Sequence, residues 1–171
     1  MENETVTLKL DDEELATRVK DHCHAWESVN GDWADDAKEM FGLVAGHQWA
    51  EEDQRQMEEQ GRPVVTMNRI AAMIRGICGL EVGNRQEAKY IARENGDVQS
   101  NEINNAASKW ARDNCDADEE ESEGFRDMLI GGIGWTETYV DYDEDPEGKI
   151  CIEHLDPLGM RWDPTSKKRG L

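Results

Sequence analysis

Three adjacent side chains near the start of the chain are the first candidates for metal chemistry. His22, Cys23 and His24 carry imidazole and thiol groups, which are preferred ligands of zinc. Adjacent residues on a helix point about 100° apart, so these three side chains cannot all reach one ion. We interpret them as part of an ordinary helix and predict no metal site there.

Alternating aspartates in two places resemble the first half of a calcium-binding loop. The two sets are Asp141, Asp143 and Asp145, and Asp116 with Asp118. In the first set, Pro146 stands where the loop needs glycine and Ile152 where it needs glutamate. In the second set, Glu121 occupies the glycine position. Both sets are better interpreted as acidic turns.

Glu147 and Lys149 match the Glu-x-Lys fragment of metal-dependent nucleases. A match of this length is common by chance, and the net charge of -20 repels a phosphate substrate. Gly131, Gly132 and Gly134 follow a predicted helix and precede a strand, whereas phosphate-binding loops run from strand to helix. We predict that the chain is not an enzyme and has no catalytic, cofactor-binding or metal-binding residues.

The composition describes an acidic chain of about one domain. It has 171 residues, with 39 acidic and 19 basic side chains, so a surface that grips DNA is disfavoured. The four cysteines are far apart and form no Cys-x-x-Cys pair, which favours reduced thiols. No apolar run is long enough to cross a membrane.

Two helices are predicted before residue 47. The first follows Asp11 and Asp12, and its apolar stripe is Leu15, Val19, Cys23 and Trp26. Asn30 and Gly31 are expected to end it, and Asp32 to cap the second helix. The apolar face of that second helix is Trp33, Ala37, Met40, Phe41 and Val44, and Gly46 stops it.

Further helices are predicted in the middle of the chain. Residues 48–60 form a short one, which ends at Gly61, and Asn68 caps the next. The apolar face of that next helix is Ile70, Met73, Ile74, Ile77 and Cys78. Residues 88–93 predict a short strand. A long helix then carries Ile103, Ala106, Ala107 and Trp110.

The last third changes from helical to strand periodicity. Seven acidic residues between Asp113 and Glu123 predict a solvated turn or a frayed helix end, after which Phe125, Met128 and Leu129 restore a helical stripe. Residues 135–142 and 149–155 then alternate as two strands joined by an acidic turn. The predicted fold class is α+β, with a mostly helical body followed by an antiparallel β-hairpin.

We expect one incomplete domain over residues 1–171, in three segments. N-terminal helices occupy 1–47, a helical segment 48–130, and the hairpin with its loop 131–164. The abrupt basic end after Lys167 predicts an interrupted fold. Six tryptophans are many for this length. Most should be core residues, whereas Trp49 and Trp162 lie in polar or loop surroundings and are candidates for contacts with another subunit.

An ordered series of motifs over residues 40–166 resembles the N-terminal part of portal proteins of short-tailed phages, of the Salmonella-phage type. The first block is Gln48, Trp49, Asp53, Arg55, Gly61, Arg62, Pro63, Asn68, Arg69, Ile70, Gly79, Asn84 and Arg85. The second block is Trp110, Phe125, Leu129, Gly132, Ile133, Gly134, Trp135, Asp141, Tyr142, Asp156, Pro157, Trp162, Asp163 and Pro164. The specificity lies in the order of these motifs.

The resemblance implies a structural role and no catalytic residues. Portal proteins form a twelve-subunit ring at one capsid vertex, through which DNA is packaged and ejected. The partners implied are the terminase packaging motor, capsid and scaffolding proteins, and tail adaptor proteins. Double-stranded DNA would pass without sequence-specific binding. The implied location is the virion, after assembly in the bacterial cytoplasm, and the segment would be the wing-like part of a longer subunit.

Two other functions remain open from the sequence. The chain could be a stand-alone acidic binding module, such as a DNA mimic that occupies a basic site on another protein. It could also be a metal-dependent nuclease that uses Glu147. A complete coding frame that ends at Leu171, together with a stable folded monomer, would favour the binding module. Magnesium-dependent cleavage that is lost in Glu147→Ala would identify the nuclease.

Overall fold

The computed structural model describes residues 11–91, 98–143 and 145–165. The described residues form five α-helices and then two β-strands. The helices are α1 (Asp12–Ala45), α2 (Glu51–Glu59), α3 (Arg69–Gly83), α4 (Val98–Asn114) and α5 (Ala117–Gly131), and the strands are β1 (Trp135–Asp141) and β2 (Lys149–Leu155). This order confirms the predicted α+β class. None of the described helices combines the length and apolar character needed to span a membrane.

Helix α1 is continuous where the sequence predicted two helices. The expected break at Asn30 and Gly31 is wrong, and Asp32 lies inside the helix instead of capping a new one. A glycine inside a helix costs only about 1 kcal/mol relative to alanine, which packing can offset. Asn30 is accommodated because its side-chain amide donates to the carbonyl of Trp26 at 3.5 Å, one turn earlier.

The chain divides into two compact units, which we describe separately. The smaller unit combines Met1–Asp35 with Met160–Leu171, and the larger unit is Asp36–Gly159. Among the described residues of the smaller unit, Trp26 and Ala34 are buried, and Trp26 is only 1% exposed. Its ring meets the rings of Trp33 and Trp162 edge to face, at centroid distances of 6.1 Å and 5.1 Å.

Helix α3 begins at Asn68, as predicted. The Asn68 side-chain oxygen accepts a hydrogen bond from the backbone N–H of Ala71 at 3.1 Å, which satisfies one donor of the first helical turn. Its amide nitrogen also donates to the carbonyl of Val44 at 2.7 Å, near the end of α1. One side chain therefore caps α3 and binds the end of α1. Helix α2 likewise lies within its predicted range of 48–60.

The strand predicted over residues 88–93 is absent from its described part, because residues 85–91 have no regular secondary structure. Residues 92 and 93 of that prediction lie outside the described residues. The side chain of Asn105 in α4 makes the backbone hydrogen bonds that a neighbouring strand would otherwise make. Its side chain accepts from the Tyr90 N–H at 2.7 Å and donates to the Tyr90 carbonyl at 3.1 Å. The segment that contains Tyr90 is thus hydrogen-bonded to helix α4.

The hairpin forms as predicted. Strands β1 and β2 pair antiparallel, with Trp135 opposite Leu155 and Asp141 opposite Lys149. The turn between them contains Gly148, whose φ of +90° favours glycine. One residue of the hairpin, Cys151, is buried.

Helix α5 is the element against which most of the larger unit packs. It contacts α3, α4, β1 and β2. Of the two predicted alternatives for the acidic run, a turn is present at Cys115 and the left-handed residue Asp116, and a regular helix rather than a frayed one begins at Ala117. At the other end, Gly132 adopts a φ of +85° and its N–H bonds to the carbonyl of Met128, so the glycines terminate α5 as predicted.

The connection from α5 to β1 depends on close approach of two backbones. A Cβ atom added at Gly134 would lie 1.8 Å from the carbonyl oxygen of Gly124 in α5. Gly124 in turn is buried beside the Trp135 backbone. Glycine at position 134 therefore allows the chain to reverse against α5 and places the hairpin on that helix.

Candidate interaction surfaces

The side chains considered for metal chemistry do not gather at one site. His22 and His24 are exposed on α1, and Cys23 between them is half-buried. Among residues 11–91, 98–143 and 145–165, no group of three or more His, Cys, Asp and Glu side chains is placed to hold a metal ion.

The aspartates that resembled calcium loops contribute to local turns and ion pairs. Asp141 accepts a hydrogen bond from the backbone of Asp143 at 2.8 Å, and Asp145 accepts one from the backbone of Glu147 at 3.0 Å. Asp118 binds the guanidinium of Arg112 at 2.8 Å. Glu147 itself is exposed in the hairpin turn, with Lys149 at the start of β2.

A charged network joins α4 to α5. Arg112 of α4 binds Glu121 at 2.6 Å and 2.8 Å through two nitrogens, and it also binds Asp118. The hydrogen bonds to Glu121 and then Asp118 raise the pKa of Arg112. The hydrogen bond from Arg112 lowers the pKa of Asp118 below its ordinary value. The acidic run that looked like solvated surface thus partly holds α4 in place.

A second network joins α3 to α5. The Ser122 hydroxyl donates to Glu81 at 2.6 Å, and Arg85 binds the other oxygen of Glu81 at 2.9 Å. Arg85 also donates to the Ser122 hydroxyl. The Ser122 hydrogen bond, followed by that of Arg85, lowers the pKa of Glu81. These bonds orient α3 on α5.

A histidine–aspartate pair joins the hairpin to α5. The Nε2 atom of His154 lies 2.6 Å from a carboxylate oxygen of Asp127, which is 6% exposed. The His154 backbone N–H donates to Glu120 at 2.7 Å. This geometry could suggest general-base chemistry. The pair lies between helix and strand, however, and its contacts serve packing. No sequence pattern links the two residues, because they are 27 positions apart.

Helix α3 exposes much of its apolar surface. It has no buried residue, although most of its side chains are apolar. Ala71, Ile74 and Cys78 are half-buried on the side of α3 that also carries Glu81. A neighbouring face, which we call the α3 face, is exposed and consists of Ile70, Met73, Ile77 and Leu80. The sequence analysis predicted one apolar face for this helix, and the structure divides it between a half-buried side and an exposed side.

Helix α4 turns its apolar side outward. Asn101, Asn105, Ser108 and Arg112 are half-buried. The opposite side is the predicted stripe, Ile103, Ala106, Ala107 and Trp110, which we call the α4 face; every residue of it is exposed. Trp110 alone is 66% exposed. Since a surface helix normally buries its apolar side, this arrangement makes the α4 face a candidate interaction surface.

The two tryptophans predicted to contact another subunit have different surroundings. Trp162 is half-buried against Trp26 and Trp33 of the smaller unit, so it packs within its own chain. Trp49 is exposed at an open cleft of about 920 Å³ between the end of α1 and the segment after α2. The role of Trp49 in a subunit contact stays a prediction.

Comparison with known proteins adds one finding. A family model described as Phage P22-like portal protein matches residues 20–170. No curated protein matches the chain. The match covers the described helices from within α1 onward and the whole hairpin.

Proposed function

The chain belongs to the phage P22-like portal protein family, and we propose that it is part of a ring-forming portal subunit. The ring would connect head and tail of the virion, and genomic DNA would be packaged and ejected through it. The copy number implied by the family resemblance is twelve. The observation that supports subunit assembly is the α4 face, an apolar helix side turned to solvent.

Exposed apolar surface supports association more than catalysis. Single exposed hydrophobic side chains are normal, but a row of them on one helix is a feature of contact surfaces. The larger unit has two such rows, the α3 face and the α4 face. We propose a structural, non-enzymatic role, in agreement with the family.

The charge supports passage of DNA without strong binding. With a net charge of -20, the chain repels phosphate groups that come within the Debye screening length. A polyanion can move past a surface only where no single contact is strong. The proposed partners are the packaging terminase, capsid and scaffolding proteins, and tail adaptors. The proposed location is the portal vertex, with assembly in the host cytoplasm.

The solution mass of the purified 171-residue chain tests this proposal directly. Light scattering should give a ring-sized or polydisperse oligomer, while circular dichroism reports a folded helical chain. A folded monomer at high protein concentration would contradict subunit contacts in this part of the chain. That result would instead favour the acidic binding module, which a partner with a basic surface would then have to bind.

A further inference from the structure

An open cleft of about 920 Å³ lies between the end of α1, helix α2 and the segment that follows α2. Its lining residues, from Ala45 to Thr66, all belong to the larger unit. We infer that this cleft binds an extended peptide segment of a partner protein, in which lysine or arginine alternates with apolar residues. The inference goes beyond the proposed function, because the cleft is complete within one subunit and does not require a ring.

Helix α2 lines the cleft with two carboxylates. Glu51 and Glu58 lie at the cleft, and among the described residues neither has an ion-pair partner. On the adjoining face of the helix, Arg55 binds Glu52 at 2.7 Å and Glu59 at 3.9 Å. Residues three or four positions apart share one face of a helix, so the spacing separates the paired set from the set that lines the cleft. A cationic side chain of a ligand would meet two carboxylates that the chain itself leaves unpaired.

The charges of the cleft favour a ligand with a pair of basic residues over a polycation. Helix α2 has five acidic residues and one arginine. In the cleft lining, the two carboxylates are accompanied by one guanidinium, that of Arg62, and by the imidazole of His47. Opposite charges across an interface favour the matching partner, whereas like charges oppose binding. A longer run of cations would meet Arg62 after the carboxylates were occupied.

Trp49 provides a second contact for a basic side chain. Its side chain is 41% exposed and lines the cleft. A guanidinium or ammonium group is attracted to the face of a tryptophan ring when it lies within about 6 Å of the ring centroid. The chain makes this contact elsewhere, since the Arg161 guanidinium lies 4.1 Å from the Trp26 ring centroid. The cleft therefore offers a basic side chain both an aromatic ring and a carboxylate.

The segment that follows α2 has backbone groups available for pairing with an extended ligand. Residues 62–68 have no regular secondary structure. Val64 and Thr66 line the cleft, whereas Val65 between them does not and is 57% exposed, an alternation typical of an extended chain. Within the part of the chain that the structure describes, these three residues form no hydrogen bond. An extended peptide can therefore add beside them as a strand, in which case main-chain hydrogen bonds supply affinity.

Fluorescence anisotropy of a labelled pentapeptide, in which lysines alternate with valines and both ends are valine, tests the inference on the purified 171-residue chain. We expect saturable binding that Glu58→Gln weakens about tenfold, because a charge-assisted hydrogen bond is lost. The matched control is Glu59→Gln, which removes the same charge from the adjoining face of α2 and should leave the Kd unchanged. Trp49→Ala should weaken binding by a similar factor, and circular dichroism shows whether each variant remains folded.

A second peptide tests the backbone pairing. N-methylation of its main-chain amides keeps both lysines but removes the N–H groups that would bond to residues 64–66. We expect this peptide to bind about tenfold more weakly than the first. Equal affinity of the two peptides would show attraction by charge alone and would overturn the inference.

Two other outcomes also overturn it. Equal Kd values for Glu58→Gln and Glu59→Gln would place the peptide outside the cleft. The absence of saturable binding by the unchanged chain would exclude a peptide site of this chemistry. Light scattering on the same preparations measures ring assembly separately, so failure of the inference leaves the proposed function untouched.

Discussion

Of the charged side chains in the described ranges, only that of Asp127 is buried. A buried carboxylate is costly unless it is paired, and His154 provides the partner at 2.6 Å. Neither residue belongs to a pattern that the sequence displays. Their contact depends on the hairpin lying on α5, so it reports the correct docking of the two elements.

We predict that His154→Ala lowers the free energy of unfolding by about 1–3 kcal/mol, because it leaves the buried Asp127 carboxylate without its partner. Urea unfolding followed by circular dichroism measures this change. The matched control is His24→Ala, whose side chain is 79% exposed beside Glu27; an exposed pair contributes less than about 1 kcal/mol. Equal effects of the two variants would contradict the structural role of the pair.

The lowered pKa of Glu81 makes a prediction about acid stability. A carboxylate whose pKa is depressed on folding adds stability above its ordinary pKa of 4.5, and that contribution is lost as the pH falls below this value. Ser122→Ala removes the first cause of the depression. We expect it to reduce the urea midpoint at pH 7 and to have a smaller effect at pH 3.

The control for this pH series is Ser28→Ala, which removes an exposed hydroxyl that donates to the carbonyl of Ala25 in the same helix at 2.8 Å. Its effect should not change between pH 7 and pH 3. A Ser122→Ala effect that is constant over the same range would mean that the ionisation of Glu81 does not couple to this contact.

Two glycines show how helix propensity and contacts between elements affect stability differently. Gly79 lies within α3, and a Cβ atom there would meet no atom within 4 Å. Gly134 lies outside the helices, and a Cβ atom there would overlap the backbone of α5. The same substitution should therefore have opposite effects at the two positions.

Gly79→Ala should stabilise the chain by up to about 1 kcal/mol, since alanine is the better helix former. Gly134→Ala should destabilise it by more than about 3 kcal/mol or prevent folding, because the clash is with backbone atoms that cannot rotate away. Thermal unfolding followed at the helical signal measures both. A tolerated alanine at 134 would show that the hairpin does not approach α5 as described.

Helix α4 shows how tertiary structure can reverse the meaning of a pattern. Its apolar stripe predicts a helix at that place, and the helix is present. The same pattern predicts that Ile103 and Trp110 face a core, but both are exposed. The pairing of Arg112 with α5 and of Asn105 with Tyr90 decides the rotation of the helix instead.

The net charge of the chain predicts that it does not bind DNA strongly. We expect no retardation of a short DNA duplex by the purified chain even at about 50 mM salt, where phosphate contacts are strongest. A basic DNA-binding protein of similar size serves as the positive control. Retardation that weakens with added salt would reveal a basic surface and contradict passage without binding.

Features that depend on neighbouring residues could be predicted from the amino-acid sequence. Asn68 caps α3, Gly132 ends α5, and β1 pairs with β2, because capping, left-handed turns and strand alternation are local effects. The motif order also indicated the family that the comparison confirms over residues 20–170. The net charge follows directly from the amino-acid composition.

Features that join distant residues depend on tertiary structure and could not be predicted. It made α1 continuous through Gly31, replaced a predicted strand with the pairing of Tyr90 and Asn105, and placed His154 on Asp127. Each of these depends on free energy from contacts between elements, which outweighs weak local preferences of about 1 kcal/mol. The outward α4 face has the same origin, since periodicity shows that a helix has an apolar side but not which side its neighbours will bind.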